Sequence, residues 1–102
     1  MIKLLEEKRD ELIALCQKYQ VRRLDLFGSA AKGRFAPETS DLDFVAEFLG
    51  RSNPNYANRY YDFAESLQTL FQRRVDLLTE NMIRSPHFRQ EFENTRQKIY
   101  EQ

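Results

Sequence analysis

The segment Ser40-Asp41-Leu42-Asp43-Phe44-Val45 carries two carboxylates that an ordinary strand would not choose. Successive side chains of a strand point to opposite faces, so Asp41 and Asp43 share one face and Leu42 and Phe44 the other. Aspartate is disfavoured in strands, and neighbouring carboxylates resist joint ionisation unless a cation lies between them. A hard divalent ion such as magnesium resolves that conflict, since it takes a few carboxylate oxygens and draws further ligands from water and substrate phosphates. Asp76, in Arg74-Val75-Asp76-Leu77-Leu78, stands between apolar neighbours on another expected strand, where a lone buried charge would be costly. Singly, each aspartate reads as a strand-end cap or surface charge. Together they point to a metal site.

Working outward, residues 21–27 begin apolar and β-branched and close on Gly28, which predicts a strand ending in a turn. A short helix is expected over 29–34 and a loop over 35–40, which contains Pro37. Upstream, Leu5, Leu12, Ile13, Cys16 and Tyr19 recur at helical spacing and predict one amphipathic helix over 2–19. Downstream of the strand over 41–48 comes a polar loop over 50–55. Tyr56, Tyr60, Phe63, Ala64, Leu67 and Phe71 then form the stripe of a second long helix pressed onto a sheet. Residues 74–78 are a third strand, and Phe88, Phe92 and Ile99 mark a final helix starting near Pro86. Helices interleaved with three strands predict an α/β (α+β) layer: a small three-stranded sheet packed with about four helices.

The chain has 102 residues, 41% hydrophobic and 31% charged, enough for one core, so a single domain over 1–102 is expected. Its 16 basic and 16 acidic side chains cancel, which removes the broad positive field that grips nucleic acid through many phosphates. Cys16 is the sole cysteine and His87 the sole histidine, so neither an internal disulfide nor a Cys/His zinc site can be assembled. Cys16 reads as core and His87 as a helix-start residue. The charged N-terminal stretch offers no signal or membrane segment, and a cytoplasmic location is expected. Arg22-Arg23 and Arg73-Arg74 read as surface charges flanking strands, and Tyr100 as part of an amphipathic tail.

Leu26-Phe27-Gly28-Ser29 ends the first strand in a turn whose backbone N–H groups and serine hydroxyl can approach a phosphate. Phe27-Gly28-Ser29, a spacer with Lys32 and Gly33, then Ser40-Asp41-Leu42-Asp43, and finally Val75-Asp76-Leu77 form a compound pattern. It resembles the minimal nucleotidyltransferases of the DNA polymerase beta superfamily over most of the chain, from Leu24 to the segment Pro86 to Phe88. The resemblance implies the polymerase-beta-like fold with a mixed sheet. It implies ATP with its phosphates over Gly28 and Ser29, nucleotide contacts from Lys32 and Ser40, and two magnesium ions on Asp41, Asp43 and Asp76. Ala30 stands where many relatives carry a larger, often basic residue, which leaves Lys32 and Arg34 as candidates for phosphate contact. Members of this family are commonly antitoxins paired with an all-helical HEPN ribonuclease toxin, and related ones transfer AMP to a tyrosine of the toxin. The same function is therefore expected here. The alternatives are an antitoxin that masks its partner without chemistry, and a nucleotidyltransferase acting on a small molecule or RNA.

Overall fold

Alternation along the strand segments builds the sheet, and helices pack on both of its faces. The computed structural model describes residues 2–31 and 41–102, with backbone alone at 29 and 30. Helix α1 (Lys3–Glu7) and helix α2 (Arg9–Lys18) stand where one continuous helix was expected. The chain leaves helical geometry at Lys8 (φ −107°, ψ 16°), and Leu5 and Leu12 on either side of the break are both buried in the main core. Cys16 is fully buried, as its place in the apolar stripe predicted, and burial pushes its thiol up to about 12. Strand β1 (Val21–Phe27) follows, then α3 (Gly28–Ala31), β2 (Leu42–Phe48), α4 (Tyr56–Phe71), β3 (Val75–Thr79), a 3-10 turn (Glu80–Met82), α5 (Pro86–Thr95) and β4 (Gln97–Glu101).

The sheet has four strands in the order β3-β2-β1-β4, one more than the sequence reading expected. Strands β1 and β2 are antiparallel, β1 and β4 are antiparallel, and β2 and β3 are parallel, so the sheet is mixed. The final helix ends at Thr95, and Ile99 and Tyr100 lie in β4, not in the helix or tail expected for them. One face carries Leu24, Leu26, Leu42, Phe44, Ala46, Val75 and Leu77, packed with Leu5, Leu12, Cys16, Phe63, Leu67 and Phe71 into the main core. On the other face Val45, Phe92 and Ile83 form a smaller cluster with Phe27 and Leu78, so α5 covers part of that side. Burying one fully enclosed side chain such as Phe44 or Phe63 is worth roughly 1.5–3 kcal/mol, and both are completely buried.

Helix α4 also closes the outer edge of β3. Gln68 accepts a hydrogen bond from the Val75 amide through Oε1 at 3.2 Å, and the Tyr60 hydroxyl donates to the Leu77 carbonyl. Edge groups left open would template pairing with another chain. Arg59 of α4 is 7% exposed and donates to the carbonyls of Tyr19, Leu49 and Gly50 at 3.2, 2.8 and 2.9 Å, tying the end of α2 to the loop after β2.

Candidate active site

Parallel pairing of β2 with β3 sets Asp43 opposite Asp76, and antiparallel pairing of β1 with β2 sets Phe27 opposite Asp43. Alternation turns both aspartates toward the face that α5 partly covers, next along the strands from Val45 and Leu78, where Phe92 packs. Asp41 stands one residue before β2. Asp43 is half-buried, whereas the side chains of Asp41 and Asp76 are 44% and 50% exposed. Asp76 is thus open to solvent rather than buried, because Val75 and Leu77 turn into the core and leave it on the outer face.

Burial, then a hydrogen bond to Asp76 and the nearby charges of Asp76 and Asp41, push the Asp43 carboxyl up to about 6. Crowded carboxylates that resist ionisation are a mark of sites that bind cations or handle protons. Arg74 lies between the other two: its Nε is 3.9 Å from Asp41 Oδ2 and 3.8 Å from Asp76 Oδ1. Read from sequence as a surface charge, it is 73% exposed but belongs to this cluster. Among the described residues no group of three or more His, Cys, Asp or Glu stands close enough together to hold a metal ion. The structure brings Asp43 and Asp76 together and leaves Asp41 at the entrance, with the Arg74 guanidinium between Asp41 and Asp76.

Gly28 opens α3 with φ +72°, in the region that L side chains rarely adopt. A Cβ there would lie 2.6 Å from Asp43 Oδ2, so the missing side chain is what lets the turn backbone and the carboxylate meet. Lys32, Arg34 and Ser40, and the side chain of Ser29, lie outside the described residues. His87 is exposed in the first turn of α5, and Ser85 caps that helix by accepting from the Phe88 amide at 3.4 Å.

A cavity of about 500 Å3 reaches Asp43 and Asp76 and is walled by Tyr60, Tyr61, Leu78 and Phe88. From sequence Tyr60 was read as core only and Phe88 as part of a helix stripe, and Tyr61 was not singled out. A larger groove of about 620 Å3 runs between α2 and α4 on the opposite side of the sheet. It contains none of the clustered carboxylates, and size alone does not make it the reaction site.

A family model for the nucleotidyltransferase domain matches residues 11–99. The chain belongs to the nucleotidyltransferase domain family. This nucleotidyltransferase is 34% identical over 79 residues to a Methanocaldococcus jannaschii protein provisionally named a protein adenylyltransferase, covering 78% of this chain and 77% of the relative. Among solved structures it resembles one provisionally described as a minimal nucleotidyltransferase, with a TM-score of 0.74 and 26% identity, covering 94% of this chain and 95% of the other. It also shares its fold with a complex of the tri-AMPylated HEPN toxin of Shewanella oneidensis with its MNT antitoxin, at a TM-score of 0.64 and 15% identity. That likeness covers 95% of this chain and 72% of the other.

Proposed function

We propose that this nucleotidyltransferase transfers AMP from ATP to a protein hydroxyl, a tyrosine of a HEPN-type ribonuclease partner, and thereby acts as the antitoxin of the pair. The observation that carries the reading is the register that sets Asp43 between Asp76 and the Gly28 turn. The AMPylated toxin in the Shewanella oneidensis complex and the adenylyltransferase name of the Methanocaldococcus jannaschii relative support the acceptor class. No helix among the described residues is long and apolar enough to cross a membrane, and the reading has the protein acting in the cytoplasm.

The donors are of the kind magnesium takes, hard carboxylates with Asp43 hydrogen-bonded to Asp76 and the charge of Asp41 nearby, and they would draw together to share an ion, since among the described residues they do not converge as a ready-made ligand group. Asp41, Asp43 and Asp76 would hold two such ions. Bound there, magnesium would neutralise charge that develops at the α-phosphate and would lower the pKa of the attacking hydroxyl.

The backbone of Gly28 and Ser29 orients the triphosphate on the β1 flank of Asp43, with Ser40 and Lys32 as further contacts. Arg74 pairs with Asp41 and Asp76 and offsets part of their charge. The acceptor oxygen forms a bond to the α-phosphorus as the bond from that phosphorus to its bridging oxygen breaks, and pyrophosphate departs. The acceptor proton leaves by way of Asp76, which is open to water.

The test is to incubate the enzyme with the product of its neighbouring gene, ATP and magnesium, and to record the partner's intact mass. A gain in whole units of AMP, absent with an Asp41→Ala, Asp43→Ala variant, is the expected result. A stable complex that binds ATP yet gains no mass would replace this reading with masking by binding alone.

A further inference from the structure

Past Asp76 the cavity continues round the β3 edge to aromatic side chains that the core does not use. Tyr61 is 69% exposed yet stands edge-on to Tyr60 with ring centroids 5.2 Å apart. Phe88 is 39% exposed and meets Phe27 edge-on at 5.9 Å. One space of about 500 Å3 joins these rings to Asp43 and Asp76. The Val75 amide and the Leu77 carbonyl already have partners on α4, so an incoming polypeptide finds those edge positions of β3 occupied. What the cavity offers instead is a side-chain site, apolar along its walls and acidic at one end.

We infer that this cavity receives the ring of a tyrosine on the acceptor protein, with Tyr61 and Phe88 holding the ring and the Asp76 end receiving its hydroxyl. The inference rests on nucleotide transfer at Asp41, Asp43 and Asp76. Two observations favour an acceptor over the nucleobase. The glycine turn lies on the β1 flank of Asp43, while the cavity runs from Phe27 and Phe88 past Asp43 and Asp76 and reaches Tyr61 beyond the β3 flank. In an in-line displacement the attacking and leaving oxygens lie on opposite sides of the α-phosphorus, so a leaving group held at the turn puts the attacker on the cavity side.

The lining selects the chemical class. Among the described residues it contains two carboxylates and no lysine or arginine, and Arg74 beside Asp76 is paired with Asp41 and Asp76, which opposes a phosphodiester chain. A neutral phenol gains edge-to-face contacts from the walls and places its hydroxyl at the carboxylates. The phenolic oxygen bonds to the α-phosphorus, the pyrophosphate takes the electron pair of the broken bond, and the phenolic proton passes through the carboxylate end to water.

The experiment uses the isotope-labelled full chain with magnesium and a non-hydrolysable ATP analogue, titrated with N-acetyl-tyrosinamide and followed by amide NMR. Shifts are expected at Tyr60, Tyr61, Leu78 and Phe88. Tyr61→Ala should weaken tyrosinamide binding roughly five- to tenfold while changing nucleotide affinity less than about twofold. Tyr61 is exposed, so its truncation leaves the core whole, and Phe88→Ala tests the opposite wall with the same expectation.

If the ATP analogue by itself moves Tyr61 and Phe88, and Tyr61→Ala weakens the analogue, the cavity holds the nucleobase and the inference is overturned. Normal nucleotide binding with tyrosinamide shifts elsewhere, or with none, also overturns it and leaves the transferase reading standing. Failure of the analogue to bind with magnesium overturns both.

Discussion

Asp43 is held where ionisation works against folding. Its carboxyl has an ordinary value of 3.8 and is raised to about 6 in the fold, with burial the first cause and Asp76 the second. A carboxyl raised on folding binds its proton more tightly in the native state, so its contribution is present in full below pH 3.8 and is lost as pH rises through about 6. Asp43→Asn removes the charge and keeps the shape. Thermal melts without divalent metal at neutral pH should therefore give a higher Tm for the variant, while AMP transfer disappears; a lower Tm would mean that the carboxylate is not under this strain. Gly28→Ala should act in the opposite sense on stability. A left-handed backbone alone costs a non-glycine residue about 1–2 kcal/mol, and the new Cβ would meet Asp43 Oδ2 at 2.6 Å. Urea denaturation should show a loss of at least that size, together with loss of transfer. At this scale alternation made the Asp41/Asp43 pair and Asp76 visible in the sequence. The closeness of Gly28 to Asp43 was not visible, because it is a contact between two elements. Nor was the place of Arg74, since an arginine next to a strand looks the same whether it faces bulk water or two carboxylates.

Between elements, the join of α5 to β4 shows where local pattern stops being informative. Phe88 and Phe92 are four residues apart and Ile99 is seven further on, spacing that one continuous helix would satisfy. No glycine or proline marks the break. The chain turns extended at Arg96 (φ −62°, ψ 139°), whose guanidinium reaches Asp25 Oδ2 at 2.6 Å, Glu80 at 3.2 Å and Glu93 at 3.1 Å while covering the Phe92 ring. Asp25 is 1% exposed and is also paired with Arg23 at 3.0 Å. A tertiary charge cluster thus ends the helix and sends the next five residues into the sheet. The clue available in the sequence was an aspartate in the middle of an otherwise apolar Leu24–Leu26 run, which needed a cation from elsewhere. Removing one member of a buried pair costs about 3–5 kcal/mol, and because Arg23 stays in place roughly 2–3 kcal/mol is expected for Arg96→Ala. Chemical denaturation measures that loss, and hydrogen exchange should show it concentrated in β4.

Over the whole molecule, two sides of one sheet have different duties. The face packed by α1, α2 and α4 holds most of the buried side chains, while the α5 face holds the carboxylates at one end and the Asp25 cluster farther along β1. The first duty was plain in the sequence, from the apolar stripes of α2 and α4 and the alternating strands. The fourth strand was missed because Gln97–Glu101 is short, half exposed and lacks a dense β-branched run. Deleting residues 97–102 should expose the β1 edge and uncouple Arg96 from a fixed strand. The truncated chain is expected to melt at lower temperature and to associate in light scattering, whereas an unchanged monomer would show β4 to be dispensable.

The central claim is transfer of the nucleotide moiety by Asp41, Asp43 and Asp76. It is tested most directly by supplying the enzyme and its partner with magnesium and ATP labelled in parallel at the α- or the γ-phosphate. The account predicts that label from the α-position becomes covalently attached to the partner, that label from the γ-position leaves as pyrophosphate, and that Asp43→Asn abolishes both. Attachment of the γ-label, or α-label transfer that survives Asp43→Asn, would contradict it.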